Sequence, residues 1–467
     1  MSGDVQDPST SMPSSTIFLI GMVGSMSGLL IGYNTAVIAP ALEFITQDFA
    51  LGAFMQGVAV SSVLLGGFIG ALLAGALIPR TGERPTLFVT AILFIVGGVG
   101  SAYADSFVPW LVWRTICGLG VGAATMVGPL YVSETAPARM RGALVSTVQL
   151  MITIGILVSY LAGAAWTPAK AWQSMLLVGA APGLLLLLVL LAVPESPRWY
   201  LLRSRREDAE RAHLRLTAGR GEPLPAPEPV AARLRWQDLF TGRNLMVLVL
   251  ATGLFVFANL SGIDAILYYA PTIFAQVGFG GTYGPILATV GIGTVNVVAT
   301  IIAMALIDRL GRRPLLIGGL VPMAASLIFL AVALEVGQGA AWSNMVAVSC
   351  LALFVLAFGV SLGPLPYVLM SELFPLALRG AGMGIASAAA WGVNVLVSLT
   401  FPVLVEAFGV ALVFGFYGLI SIAALAFVLA LVPETRGRSL ELIEANLASG
   451  RAVRDLGMPL PARSRGG

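Results

Sequence analysis

The stretch Phe257-Ala258-Asn259-Leu260-Ser261-Gly262-Ile263-Asp264-Ala265-Ile266-Leu267-Tyr268-Tyr269-Ala270-Pro271 decides how the chain is read. It lies inside an apolar run, 244–274, longer than the roughly 20 residues that cross a hydrocarbon core. Within that run stand an acid, amide and hydroxyl side chains, and two phenols. A charged side chain at membrane depth costs about 2.5–3.5 kcal/mol on insertion scales, so Asp264 needs a reason to be there. Gly262 and Pro271 loosen the helix on either side of it. A polar, locally breakable helix at the midplane is what a transporter's binding site needs.

Working outward, the same pattern occurs earlier in the chain. Gly32-Tyr33-Asn34-Thr35-Ala36-Val37-Ile38-Ala39-Pro40 resembles Gly262 to Pro271. Arg80-Thr81-Gly82-Glu83-Arg84-Pro85 matches Arg309-Leu310-Gly311-Arg312-Arg313-Pro314. Glu134 to Gly142 matches Glu372 to Gly380, and Pro194-Glu195-Ser196 matches Pro433-Glu434-Thr435. The pairs lie about 230–240 residues apart and keep their order. One such pair could be chance; four in order make two parallel structural repeats.

Composition agrees. The 467 residues are 58% hydrophobic and 10% charged, with mean hydropathy +0.92. A soluble domain carries roughly 25% charged residues, so the chain is an integral membrane protein. Twelve apolar segments are long enough to span, at about 17–39, 54–78, 86–104, 109–132, 143–165, 172–193, 244–274, 283–307, 314–335, 343–370, 382–405 and 410–432. They are continuous rather than alternating, which makes them helices and not barrel strands. Met1–Ser15 is polar without the basic start of a signal peptide, so the first segment is expected to be a retained helix.

Of the 26 basic residues, only Arg114 and Lys170 fall outside the termini and one alternating set of loops. The positive-inside rule places that set, and both termini, in the cytoplasm. The basic pI therefore reflects topology, and no nucleic-acid partner is expected. Cys117 and Cys350 both sit in apolar segments and read as small packing residues. The predicted organisation is a six-helix bundle over 1–193, a cytoplasmic linker over 194–243, a second bundle over 244–432 and a tail over 433–467. Arg203–Leu216 in the linker predicts an amphipathic surface helix, with His213 a solvated loop residue. Pro223–Pro229 predicts extended chain.

Taken together, these features resemble the major facilitator superfamily and, within it, the sugar porter family. The resemblance runs from about Gly28 to Ile443. It rests on Pro194-Glu195-Ser196-Pro197-Arg198-Trp199, Pro433-Glu434-Thr435-Arg436-Gly437-Arg438, Asp308-Arg309-Leu310-Gly311-Arg312-Arg313 and Ser261-Gly262-Ile263, in register with twelve helices. It implies an all-α membrane fold of two six-helix bundles related by pseudo-two-fold symmetry. A monosaccharide or polyol would bind at the interface of the bundles and cross by alternating access. A monomer in the plasma or inner membrane is expected. No cofactor, metal or enzymatic chemistry is expected, and a drug:proton exporter or a non-transporting sugar sensor are the other readings carried.

The charged motifs are expected to gate the cytoplasmic side. Arg80, Arg84, Glu134, Arg141 and Glu195 would cluster in the first half, and Asp308, Arg309, Arg313, Glu372, Arg379 and Glu434 in the second. The first motif is incomplete, with Pro79 where Asp308 stands and Glu83 where Arg312 stands. For sugar hydroxyls, which both donate and accept, side-chain amides and a stacking aromatic are suitable partners. The candidates are Gln149, Asn259, Asp264, Tyr268, Asn296, Tyr367, Trp391 and Asn394. Helix seven departs from the family's Gln-Gln-Leu-Ser-Gly-Ile-Asn, reading Ala258-Asn259-Leu260-Ser261-Gly262-Ile263-Asp264. Tyr367 stands for a usual Trp, and Gly359 for a frequent acid. The aspartate points weakly to a linear polyol.

Coupling residues are Asn34, Arg114 and Asp264. Proton-linked members resemble one another in an acid after Gly-Tyr in helix one, opposed by an Arg in helix four. Here that position is Asn34, which cannot carry a proton, so facilitated diffusion is the leading expectation. Asp264 keeps three readings open: an ionised acceptor for a sugar hydroxyl, a relocated proton carrier, or a neutral structural acid.

Overall fold

The computed structural model describes residues 12–137, 139–219, 239–281, 283–337, 341–374 and 376–436, with scattered residues of the tail to 458. It divides into two compact units, 1–229 and 230–467. The first holds α1 (Ser14–Ala36), α2 (Ile38–Asp48), α3 (Ala53–Thr81), α4 (Glu83–Ala102), α5 (Phe107–Thr135), α6 (Arg141–Trp166), α7 (Trp172–Val178) and α8 (Ala180–Ala192). Two short helices follow, α9 (Pro197–Leu202) and α10 (Arg206–Thr217). The second unit holds α11 (Gly242–Leu260), α12 (Ile263–Tyr268), α13 (Ala270–Gln276), α14 (Tyr283–Leu310), α15 (Arg312–Val336), α16 (Ala341–Val360), α17 (Leu365–Leu373) and α18 (Leu376–Leu431).

Eleven helices or helix pairs among the described residues are long and apolar enough to cross a membrane. The last of these, Gly382–Leu431, is broken at Gly409 (φ 78°, ψ 157°) and so supplies two crossings, giving twelve. Most breaks precede prolines, where a missing N–H and a ring clash end the helical ladder. The α1–α2 break at Val37 precedes Pro40, α7–α8 at Gly179 precedes Pro182, and α12–α13 at Tyr269 precedes Pro271. Segment 244–274, expected as one span, is therefore three helical pieces.

The same neighbours recur in each unit. In the first, α3 packs on α5, α4 on α5 and α1 on α6; in the second, α14 packs on α16, α15 on α16 and α11 on α18. Between helices in lipid there is no water to expel, so close backbone approach through small residues does the holding. A Cβ at Gly122 would collide with the Gly67 carbonyl, and one at Gly32 with that of Ile152. These positions set the spacing of α3 against α5 and of α1 against α6.

The amphipathic helix of the linker is α10, beginning three residues later than Arg203. Its Ala209, Ala212 and Leu216 are buried and its arginines face out. Leu216 joins Ile20, Val132 and Ala136 in one apolar cluster, which pins α10 to the first bundle. His213 lies on this helix, half-buried, rather than in a loop. Pro223–Pro229 lies outside the described residues.

Candidate functional site

The polar cluster of the second unit is built at the break after α11. Ser261 ends α11, and Gly262 takes a left-handed conformation (φ 86°, ψ 8°) that starts α12. Only glycine suits this position twice over. A side chain there would be strained by the positive φ, and its Cβ would run into the ring of Tyr417. Restarting the helix at Ile263 puts Asp264 in its first turn, where a carboxylate meets the positive end of the helix. Tyr268, four residues on, shares the face of Asp264.

Tyr268 and Asn394 of α18 both offer hydrogen bonds to the Asp264 carboxylate. Asn394 is buried, and its Oδ1 accepts from the Ser398 hydroxyl at 3.2 Å. Asp264 itself is only half-buried. Tyr269 fixes the lower edge, donating to the Ser398 carbonyl at 2.7 Å with its ring 5.0 Å from Phe401. Tyr367 of α17 stands edge-on to Phe255 at 4.7 Å and is 53% exposed, leaving an aromatic face open.

Asn259 is half-buried and donates to the Phe255 carbonyl at 2.8 Å, which leaves its oxygen for another donor. Asn296 is buried on α14, with Gly359 of α16 beside it. Its amide bonds to none of the described residues. Trp391 on α18 and, in the first unit, Gln149 on α6 are half-buried, and their polar groups likewise bond to no described residue. Geometry thus brings Asp264, Tyr268 and Asn394 into direct contact. Asn259, Asn296, Gln149 and Trp391 remain polar groups with spare capacity.

Asn34, the sequence mate of Asp264, lies in a different setting. It is 2% exposed; its Nδ2 donates to Leu30 O at 3.1 Å and its Oδ1 accepts from Cys117 Sγ at 3.2 Å. Arg114 is 1% exposed and donates through Nη2 to the main-chain carbonyl of Asn34 at 3.1 Å. The guanidinium also lies 5.7 Å from the Trp110 ring, and its Nε has no partner among the described residues. Cys117 is therefore more than packing, since its thiol orients the Asn34 amide.

The motif residues form one corner in each unit. In the first, Glu195 accepts from the main-chain N–H groups of Glu83 (3.2 Å), Arg84 (3.1 Å) and Ser196 (2.9 Å). It caps the N-terminus of α4, where orphan donors and the helix dipole favour a carboxylate. Burial pushes the Glu195 carboxyl above the ordinary range, and these donors and Arg84 pull against it. Gly82, at φ 98°, leaves room for it. Arg84 turns to the Leu190 carbonyl at 2.9 Å. Ser196 donates to Glu134 at 2.5 Å and also caps α9.

The second unit repeats this. Glu434 accepts from the N–H groups of Arg312 (3.1 Å) and Arg313 (3.0 Å), Gly311 sits at φ 96°, and Arg313 donates to the Leu429 carbonyl at 3.0 Å. Thr435 donates to Glu372 at 2.5 Å. Arg312 closes the corner with a 2.8 Å ion pair to Glu372.

Several sequence expectations change here. Arg80, Arg141 and Arg309 are exposed and pair with no described residue, so they do not join their clusters. The side chains of Asp308 and Arg379 lie outside the described residues. Glu195 and Glu434 work by capping main chain rather than by pairing with arginine side chains. Arg312, Glu83, Ser196, Thr435 and the two glycines were not expected as members. The repeated Gly-x-Arg-Pro after each span was their signal, since glycine followed by a helix-starting proline marks a helix N-terminus in want of an acceptor.

Comparison with known proteins places these features. Residues 20–447 match the family model described as sugar (and other) transporter. The glucose transporter GlcP of Staphylococcus epidermidis is 38% identical over 442 residues, covering 94% of this chain and 98% of that one. The galactose-proton symporter of Escherichia coli K12 is 37% identical, covering 94% and 96%. A partially occluded inward-open structure of the xylose transporter XylE from E. coli aligns with TM-score 0.77 at 33% identity, over 91% of this chain and 100% of that one.

Proposed function

The chain belongs to the sugar (and other) transporter family, and from that premise we propose that it is a uniporter for a monosaccharide or polyol. Sugar transport by alternating access, in a multi-pass membrane protein that is not an enzyme, is common ground with its relatives. The observation that carries the substrate assignment is the cluster of Asp264, Tyr268 and Asn394 beside the Phe255–Tyr367 ring pair. It offers donors, acceptors and an open aromatic face, which is the chemistry a polyhydroxylated ring or chain requires. Asn259, Asn296 and Trp391 add groups of the same unit with unfilled hydrogen-bonding capacity, and Gln149 of the first unit has such capacity as well.

Uniport is favoured by Asn34. The position that would hold a titratable acid carries an amide, and Arg114 bonds to its backbone instead of to a carboxylate. A sugar would then move down its gradient without a proton. The basic loops put both termini in the cytoplasm, the capped corners on that side would serve as the gate, and the carrier would act as a monomer.

A second reading is proton symport through Asp264. It is favoured by that residue's half-buried carboxylate among polar partners and by the proton-coupled relative. Purified protein in liposomes separates the two. A competition panel of hexoses, pentoses, polyols and inositol against one labelled sugar ranks substrates. Under uniport, uptake stops at equilibrium and ignores a protonophore. Asp264→Asn then weakens sugar binding by about tenfold, as expected for a charge-assisted hydrogen bond of about 1.5 kcal/mol. Uphill accumulation abolished by both the protonophore and Asp264→Asn overturns uniport in favour of symport. Absence of exchange with every sugar in the panel overturns the substrate assignment.

A further inference from the structure

The two corners share a plan but carry opposite charge at the residue after the glycine. In the second unit Arg312 supplies the positive charge against Glu372. In the first, Glu83 occupies the matching place and meets Glu134. A carboxyl group thus faces a carboxyl group where its counterpart is an ion pair.

Glu83 is 2% exposed, and its Oε2 has no hydrogen-bond partner among the described residues. Its carboxyl lies close to those of Glu134 and Glu195 and to the Ser196 hydroxyl. The charged and titratable groups around it can be followed element by element. From α5 come Glu134, and Tyr131, whose hydroxyl is engaged with the Pro194 carbonyl at 2.7 Å. From the turn after α8 comes Glu195, already filled by three main-chain N–H groups. On its own helix, Arg84 is turned to the Leu190 carbonyl and the Phe88 ring, 5.3 Å from its guanidinium. From α9, Arg203 is held by the Pro79 carbonyl. Arg80 at the end of α3 and Arg141 at the start of α6 are exposed. Neither Glu83 nor Glu134 is ion-paired with a described residue.

A buried carboxylate set against a second, half-buried one resists ionisation when no cation is paired with it, because each penalises the other's charge in a medium that screens poorly. A hydrogen bond between them also needs a hydrogen, which two carboxylates lack. Glu195 is the poorest place for that hydrogen, since both of its oxygens accept from N–H groups. Glu134 already receives the Ser196 hydroxyl on one oxygen.

We propose that Glu83 carries a proton and presents it to Glu134, and that this proton stands in the first corner for the arginine that closes the second. Losing it leaves two like charges against the cap of α4 and loosens that corner. The packed corner belongs to a state that every transport cycle visits, so the proton sets the rate of cycling. It supplies no driving force, and the inference therefore holds for uniport and symport alike.

The test begins with purified protein and no sugar. Infrared spectra of wild type minus Glu83→Gln at neutral pH are expected to show the carbonyl band of a neutral carboxylic acid. A difference containing only ionised carboxylate overturns the proposal. This readout is independent of transport, so it stands apart from any failure of the functional reading. The second arm is equilibrium exchange of labelled sugar with equal pH on both sides of the vesicle. Wild-type exchange is expected to fall as pH rises through the titration of Glu83, approaching about tenfold per pH unit once Glu83 is mostly deprotonated. Glu83→Gln is expected to exchange sugar with that dependence gone. Glu83→Arg, which rebuilds the ion pair of the second corner, guards against a variant that fails to fold and is expected to be equally flat. Wild-type pH profiles in both variants overturn the proposal.

Discussion

The corners at α4 and α15 show one architecture closed by opposite chemistry. Both begin a helix at a glycine of positive φ, cap it with a glutamate about 110–120 residues further on, and turn an arginine to a carbonyl of the helix before that glutamate. The residue after the glycine reverses its charge, Glu83 against Arg312. The shared part is main-chain geometry, which any sequence with the glycine and the glutamate can make. The differing part is electrostatic, and it decides what each corner responds to. The second corner is closed by the ion pair of Arg312 and Glu372. The first depends on a proton.

That comparison breaks hardest at the glycines. Gly311→Val places a β-branched residue at φ 96° with its Cβ against the Glu434 carboxylate, and is expected to cost about 3 kcal/mol. Gly82→Val should cost as much, because the caps are alike. Loss of the monodisperse peak in detergent chromatography, or a large drop in melting temperature, checks both. Unequal losses would mean the caps are not equivalent.

The next effect differs in sign between the corners. Glu372→Gln removes the carboxylate from the ion pair of Arg312, whose side chain is 11% exposed, and is expected to cost about 2 kcal/mol. Glu134→Gln removes a carboxyl from a crowded set and should be near neutral. Thermal unfolding in detergent measures both, and equal costs would erase the distinction. Arg312→Glu is the transplant. It gives the second corner the first corner's crowding, so its melting temperature should fall as pH rises above neutral while wild type changes less.

The smallest expected effect concerns the mates Asn34 and Asp264. Asn34→Asp puts a carboxylate beside Arg114, with a net change in stability of about 1 kcal/mol because burial offsets the new ion pair. Its signature is functional: sugar exchange that becomes pH-dependent, read in the same liposome assay. A flat profile would show that an acid at this position is not enough for coupling.

Much of this was legible in the sequence because it is periodic or local. Apolar segments report their own length, and four repeated motifs reported the two-bundle plan. The break at Gly262 was readable from a glycine beside polar residues. What stayed hidden was long-range. Nothing local in Pro194-Glu195-Ser196 reveals that Glu195 will cap a helix beginning at Glu83, because that contact depends on where α8 delivers the chain. The ion-pair expectation came from counting charges, and it missed that unsatisfied N–H groups at a helix start compete for a carboxylate as strongly as a guanidinium does. Exposed Arg80, Arg141 and Arg309 looked equivalent to Arg84 in a list of charges, and only packing separated them. Asp264, Tyr268 and Asn394 were each identifiable, yet their contact joins α12 to α18 across about 130 residues.

Arg114 has an electrical consequence. Its guanidinium, a cationic side chain, lies inside a membrane-crossing helix and is held by a carbonyl and an indole ring, with no carboxylate partner among the described residues. The first bundle therefore places this cation within the membrane's voltage drop. Moving one elementary charge through the full drop is worth about 2.3 kcal/mol per 100 mV, so even a small displacement of α5 along the field during the cycle couples to it. The cargo is neutral, but the carrier is not, and its turnover should respond to membrane potential.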